Sequence, residues 1–256
     1  MDIKNSAIGF FDSGVGGLSV MREAISIMPN ENFIYFGDSK NAPYGIKSFE
    51  EIRRLSLNAA DFLIKKNIKA LVVACNTATS VAIKDLREKY KDIPIIGIEP
   101  AIKPAVEQKK QGKIIIMATP MTLAEKKFNR LINKYIGQAE FVSVPCPELV
   151  ELVESGKLEG KEVSDYLKEK LNPYLKNDVG AIVLGCTHFP FVKKEIQLLA
   201  EDASIIDGSF GTVKQLKRKL GLNNMLNEHN NVGKVELYNS LENSEIIELS
   251  YKLLGL

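Results

Sequence analysis

The sequence predicts an α/β fold of two similar small domains, each a mostly parallel sheet flanked by helices, with the active site in the cleft between them. Three observations predict it. Short apolar runs rich in Val, Leu and Ile alternate with helix-periodic stretches of about 10–15 residues, the pattern of βαβ units around parallel sheets. Two of those runs look like siblings: Ala70-Leu-Val-Val-Ala-Cys-Asn-Thr77 and Ala181-Ile-Val-Leu-Gly-Cys-Thr-His188 each end on a cysteine and then turn polar. The stretch of chain separating them is close to that separating Ala7 from Lys113, where two further strands with similar loops begin. A chain of 256 residues accommodates two domains of roughly 100–150 residues. The expected units are residues 1–98 with 208–256, carrying Cys75, and residues 99–207, carrying Cys186. Glu99-Pro100 marks a crossing between them.

In order along the chain, Ala7-Ile-Gly-Phe-Phe11 reads as a buried strand. It enters Asp12-Ser-Gly-Val-Gly-Gly17 and then a helix with Leu18, Met21, Ile25 and Met28 at helical spacing. Phe33–Phe36 is the next strand, followed by the turn-rich Gly37–Gly45. Ser48 and Glu51 form a capping box that opens a helix carrying Ile52, Leu55, Phe62 and Leu63. After the strand ending at Cys75 come a helix to about Tyr90 and strands at Pro94–Ile98 and Lys113–Met117. Thr122 and Glu125 predict a second capping box. Strand Phe141–Val144, a short helix to Glu154 and a helix over Lys161–Leu175 precede the strand ending at Cys186. A helix near Phe191–Ala200, strand Ser204–Asp207, helix Thr212–Leu220, a polar loop over Asn223–Asn231, strand Lys234–Tyr238 and helix Ser244–Leu254 close the chain.

Thirty-four basic against 32 acidic residues leave a net charge of +2, which argues against nucleic acid as a partner; the charges are interspersed as on solvated helices. Met1-Asp-Ile-Lys-Asn-Ser6 lacks the start of a signal peptide, and every apolar run is far shorter than the roughly 20 residues of a membrane span. Three cysteines without close pairing make no disulfide framework. These features predict a cytoplasmic protein with reduced thiols and no membrane partner.

A buried cysteine is most often an inert small hydrophobe, and Cys146, followed by Pro147, fits that reading. Cys75 and Cys186 differ, because Asn, Thr and His follow them directly. Both stand at carboxyl ends of predicted strands, where open α/β sheets bind ligands. In an extended segment residues i and i+2 share a side, so His188 is expected near the Cys186 thiol. Two histidines without clustered ligands exclude a metal site of the usual spacings, and His229, in a polar loop, reads as solvated. Gly14-Val-Gly-Gly17 lacks both the third glycine of a dinucleotide fingerprint, Ser19 standing there, and the Gly-Lys-Ser/Thr of a P-loop. Its glycines are expected to permit a tight turn and the close approach of a small anion to a helix start. Asp12 taken alone reads as a helix cap.

Phe11-Asp-Ser-Gly-Val-Gly-Gly-Leu18, Gly37-Asp-Ser with Ala42-Pro-Tyr-Gly45, Ala74-Cys-Asn-Thr-Ala78 and Leu184-Gly-Cys-Thr-His-Phe-Pro190 together resemble the glutamate racemases. They occur in that family's order and span most of the chain, with Ala118 standing where glycine is usual. The resemblance implies an isomerase that interconverts L- and D-glutamate without cofactor or metal, with Cys75 and Cys186 each serving as acid in one direction and base in the other. It implies Asp12 beside Cys75, and His188 and Glu154 beside Cys186. Substrate contacts implied are Asp12, Ser13, Tyr44, Gly45, Asn76, Thr77, Thr187 and His188, with Thr119 as an addition. It further implies a homodimer that supplies D-glutamate for peptidoglycan, and so for cell-wall biogenesis and cell shape. Three other readings are separable by assay: a racemase or decarboxylase of the same superfamily acting on another substrate, a non-catalytic dicarboxylate-binding protein, and a thiol redox protein.

Overall fold

The computed structural model describes residues 3–176 and 178–256; Met1-Asp2, the start of the segment that lacks a signal peptide's pattern, lie outside the described residues. β1 (Ile8–Asp12), α1 (Leu18–Ile27), β2 (Phe33–Gly37), α2 (Phe49–Ile64), β3 (Ala70–Val73), α3 (Asn76–Lys89) and β4 (Ile95–Gly97) come first. There follow α4 (Ile102–Glu107), β5 (Lys113–Ala118), α5 (Pro120–Ala124), α6 (Lys126–Asn133), β6 (Phe141–Pro145), α7 (Glu148–Glu154), α8 (Lys161–Leu175), β7 (Val179–Leu184), α9 (Lys193–Leu199) and β8 (Ser204–Asp207). The chain ends with α10 (Ser209–Leu222), β9 (Val235–Asn239) and α11 (Ser244–Leu254).

The strands form two parallel sheets, β4-β3-β1-β2-β9 and β6-β5-β7-β8. Read from the other edge, the second sheet has the order β8-β7-β5-β6, the order of the first four strands of the other sheet. The likeness of the two cysteine runs therefore extends to the topology. In both sheets the chain winds outward in one direction from its first strand and then in the other. This sets a crevice between the carboxyl ends of β1 and β3, and another between those of β5 and β7. Cys75 and Cys186 follow β3 and β7, so each stands at the reversal point of its sheet.

The central strands read as unbroken apolar runs because helices cover both their faces: β1, β3 and β5 are buried at every position. The edge strands β6 and β9 are partly exposed and carry Ser143, Pro145 and Glu236. One apolar cluster runs from Leu18, Val20 and Met21 of α1 to Leu149, Val153 and Phe189 of the second half, so the two halves share a core. The crossings touch as well. A Cβ on Gly208 would stand 2.4 Å from the carbonyl oxygen of Glu99, so only glycine fits beside that segment.

Local chemistry decides the helix starts. Ser48 caps α2, its hydroxyl accepting the Glu51 N–H at 3.2 Å. The second expected box is not formed. Thr119, not Thr122, caps α5 and accepts the Thr122 N–H at 3.3 Å, because Pro120 occupies the first turn of a five-residue helix that ends before Glu125. α10 begins earlier than its apolar periodicity suggests, since Asp207 accepts the Ser209 N–H at 2.8 Å. α4 falls outside the predicted elements. Its single turn and a half buries only Ile102 and Ala105, too few positions to set a period.

Candidate active site

The loop after β1 receives an anion, and the anion belongs to the protein. The Val15 N–H donates to Glu154 Oε1 at 2.7 Å, from a residue at the end of α7 in the other half. The loop glycines do not serve a left-handed turn, for Gly14, Gly16 and Gly17 all lack positive φ. They serve close approach. A Cβ on Gly14 would lie 1.8 Å from Glu154 Oε1, and one on Gly16 would lie 2.4 Å from His188 Nδ1. Asp12 is not a helix cap, since α1 is preceded by Gly17 as its N-cap and has no side-chain cap. Its fully buried carboxylate accepts the Gly14 N–H at 2.9 Å and, across the halves, the Thr187 hydroxyl at 2.9 Å. Burial raises the Asp12 pKa, against the opposing His188 charge and these two hydrogen bonds.

Cys75 is itself the N-cap of α3: its sulfur accepts the Ala78 N–H at 3.4 Å and donates to the Ser13 hydroxyl at 3.5 Å. Burial and then the Asp12 charge push its pKa up to about 12, outweighing the Ala78 and Ser13 hydrogen bonds. Cys75 is therefore a thiol at neutral pH. The resemblance places Asp12 beside it, and Asp12 is close enough to act on its ionisation.

Cys186 has a different neighbour. Its sulfur lies 3.6 Å from His188 Nδ1, and His188 Nε2 lies 2.6 Å from Glu154 Oε1. The pair arises because Cys186–His188 turns into a 3-10 segment (Phe189–Val192), with His188 in helical conformation, not because an extended chain alternates. Burial by itself lowers the His188 pKa, but hydrogen bonds and negative charge from Cys186 and Glu154 raise it well above the ordinary value. Glu154 moves the other way. Burial raises its pKa, yet the His188 hydrogen bond and charge, the Val15 amide and the Ser39 hydroxyl bring it below the usual range. The pair is an imidazolium and a carboxylate, with both ring N–H groups engaged.

Several of the other expected residues meet where α3, α5 and the turn at Tyr44 touch. Thr77 Oγ1 lies 3.1 Å from Thr119 Oγ1 and 3.3 Å from Thr122 Oγ1, a buried hydroxyl cluster joining α3 to α5. Gly45 abuts the same cluster, for a Cβ there would meet Thr119 at 2.6 Å. Asn76 is buried, and its Oδ1 has no hydrogen-bond partner among the described residues. Tyr44 is buried as well, but its hydroxyl is committed to Asp38 Oδ2 at 2.7 Å, which leaves the backbone of that turn as its polar surface. Sequence reasoning missed Thr122 and Ser39. Ser39 sits in the Gly37-Asp-Ser motif and donates to Glu154 Oε2 at 2.9 Å, a contact with no local signal. Cys146 is fully buried against Val144 and His229 is exposed, as their surroundings in the sequence suggest.

Comparison with known proteins agrees over the whole length. The profile of the Asp/Glu/Hydantoin racemase family matches residues 16–216. A glutamate racemase of Clostridium novyi is 62% identical, with 100% of each chain covered, and one of Clostridium acetobutylicum is 60% identical with the same coverage. The crystal structure of glutamate racemase from Francisella tularensis in complex with D-glutamate superposes with a TM-score of 0.85 at 33% identity, covering 99% of this chain and 95% of that one.

Proposed function

The chain belongs to the Asp/Glu/Hydantoin racemase family, and from that premise we propose that it interconverts L- and D-glutamate by proton transfer between two thiols. The observation that carries the proposal is the placement of Cys75 and Cys186 at matching reversal points of two sheets, in electrostatically opposite surroundings. Racemisation removes the α-proton from one face and returns a proton to the other. One thiolate takes the substrate's proton and becomes a thiol, while the opposite thiol gives up its own and becomes a thiolate. No group has to swing around the substrate.

Cys75 holds its proton at rest, since burial and Asp12 resist ionisation there. His188, held charged by Glu154, places a positive charge beside the sulfur on the other side. Asp12, Ser13, Asn76, Thr77 and Thr187, with the backbone at Tyr44 and Gly45, bind the amino acid. The unpartnered Asn76 Oδ1 suits an ammonium donor, and the hydroxyls and loop N–H groups suit two carboxylates. Preorganised hydrogen bonds of this kind stabilise the negative charge that develops at the α-carbon.

Residues 1–98 with 208–256 and residues 99–207 are taken as the two units, a division supported by the strands of each sheet falling wholly within one of them. The product would feed bacterial peptidoglycan synthesis in the cytoplasm, and the chain would act as a homodimer, as the family resemblance implies. No helix among the described residues is long and apolar enough to cross a membrane.

The test follows circular dichroism and α-deuterium incorporation from both glutamate enantiomers, with aspartate as competitor. Cys75→Ser and Cys186→Ser each are expected to lose roughly 100-fold or more in rate. Full activity in either variant rejects the two-thiol assignment, and a preference for aspartate rejects the substrate. Binding without deuterium incorporation indicates a binding protein. Complementation of a D-glutamate auxotroph checks the cellular role, and sedimentation checks the dimer.

A further inference from the structure

A hydrogen-bond chain runs from the last strand of the protein to the Cys186 thiol, and its polarity is fixed. The Leu241 N–H donates to Asn239 Oδ1 at 3.0 Å, which sets the orientation of that amide. The amide nitrogen therefore faces Ser39 and donates to its Oγ at 2.9 Å. An amide N–H cannot accept, so the Ser39 hydroxyl proton is left to point at Glu154 Oε2, 2.9 Å away. Glu154 uses its other oxygen for Val15 and for His188, whose far ring nitrogen meets the Cys186 sulfur. Asn239 and Ser39 belong to the first half of the molecule, Glu154 and His188 to the second.

We propose that Ser39 and Asn239 are positioning residues for proton transfer at Cys186: they orient the Glu154 carboxylate and, through it, the His188 imidazolium. The proposal rests on the two-thiol reading above. A carboxylate held by a hydroxyl on one oxygen and an amide on the other cannot rotate to release the imidazole. Removing the hydroxyl frees one oxygen of a mostly buried charge, and the ring it orients loses its fixed angle to the sulfur. β9 thereby has a part in the site although it carries no residue that touches the thiols.

The test compares Ser39→Ala, Ser39→Thr and Asn239→Asp with the parent, using L- and D-glutamate carrying deuterium at the α-carbon. Asn239→Asp keeps the shape of the side chain but replaces the donor by an acceptor, which draws the Ser39 hydroxyl away from Glu154. Ser39→Thr keeps the hydroxyl. Both donor-breaking variants are expected to lose roughly 10-fold in kcat/KM, the scale of one hydrogen bond to a charged group, and Ser39→Thr is expected to recover most of it. Slowing the Cys186 step alone makes it more rate-limiting. The primary isotope effect should then rise for the enantiomer that Cys186 deprotonates and fall for the other. A merely structural defect lowers both rates and leaves both isotope effects at parental values, and that result overturns the proposal, as does parental activity in Ser39→Ala. Cys186→Ser measured alongside separates the two levels: activity there rejects the two-thiol reading, whereas an inactive Cys186→Ser beside an unaltered Ser39→Ala rejects only the role of Ser39 and Asn239.

Discussion

A methyl group on Gly14 would stand 1.8 Å from Oε1 of Glu154. The two residues come from different halves of the molecule, and their contact lets the loop after β1 hold the carboxylate that in turn holds His188. Gly14→Ala meets no backbone penalty, because φ at this position is not positive, so its effect is steric. The expected result is a fall in racemisation of roughly 100-fold, the scale of a lost acid–base group. Gly211→Ala, in α10 with open space around its Cβ, is the control and should hold or raise stability by up to about 1 kcal/mol. Equal activity in both variants would show that the approach of Glu154 to the loop does not matter.

Asp12 raises the Cys75 pKa by its charge, second only to burial. Asp12→Asn removes that charge, so the thiol should ionise at lower pH and alkylate faster with iodoacetamide at pH about 9, near its ordinary range, even as racemisation falls. Mass-spectrometric mapping of Cys75 labelling reads the effect. Labelling no faster than in the parent contradicts the electrostatic account.

The ion pair between His188 and Glu154 predicts a pH window of stability. The raised His188 pKa contributes stability that is full below about 6.5 and lost as pH rises through the folded value. The lowered Glu154 pKa contributes stability that is present above about 4.5 and lost as pH falls through its folded value. The difference in Tm between the parent and His188→Gln should therefore be largest between those two pH values and shrink on the alkaline side. Removing one partner of a largely buried pair costs on the order of 3 kcal/mol. A Tm difference that is flat from pH 5 to pH 10 is the outcome that opposes this assignment.

Far from the thiols, Lys69 is wholly buried and pairs with Glu31, whose other oxygen accepts the Asn227 N–H at 2.8 Å. Lys69→Met leaves that carboxylate without its cation. Denaturant unfolding should show a loss of about 3–5 kcal/mol, while kcat per folded molecule stays parental. A fall in kcat without a fall in stability would assign Lys69 to catalysis instead.

Much of this molecule is local in origin and so legible in order along the chain. The apolar runs of β1, β3, β5 and β7 and the Ser48 cap of α2 act over a few residues, and the structure contains them close to where periodicity and capping chemistry place them, with β3 and β7 ending two residues before their cysteines. The Thr122/Glu125 box failed because Thr119 and Pro120 offered a competing start three residues earlier. The proximity of His188 to Cys186 was expected for the wrong geometric reason, since a turn brings them together where strand alternation was assumed.

The sequence by itself determined that two apolar strands each lead into a cysteine followed by polar residues, because strand length, apolar periodicity and local polarity are set by near neighbours. Tertiary structure alone decided that Glu154 reaches Val15 and Ser39, 139 and 115 residues away along the chain. It likewise decided that the glycine loop opposes a carboxylate and an imidazole of the other half. Contacts of that kind depend on how two sheets with a shared core pack, and no stretch of a few residues encodes that distance.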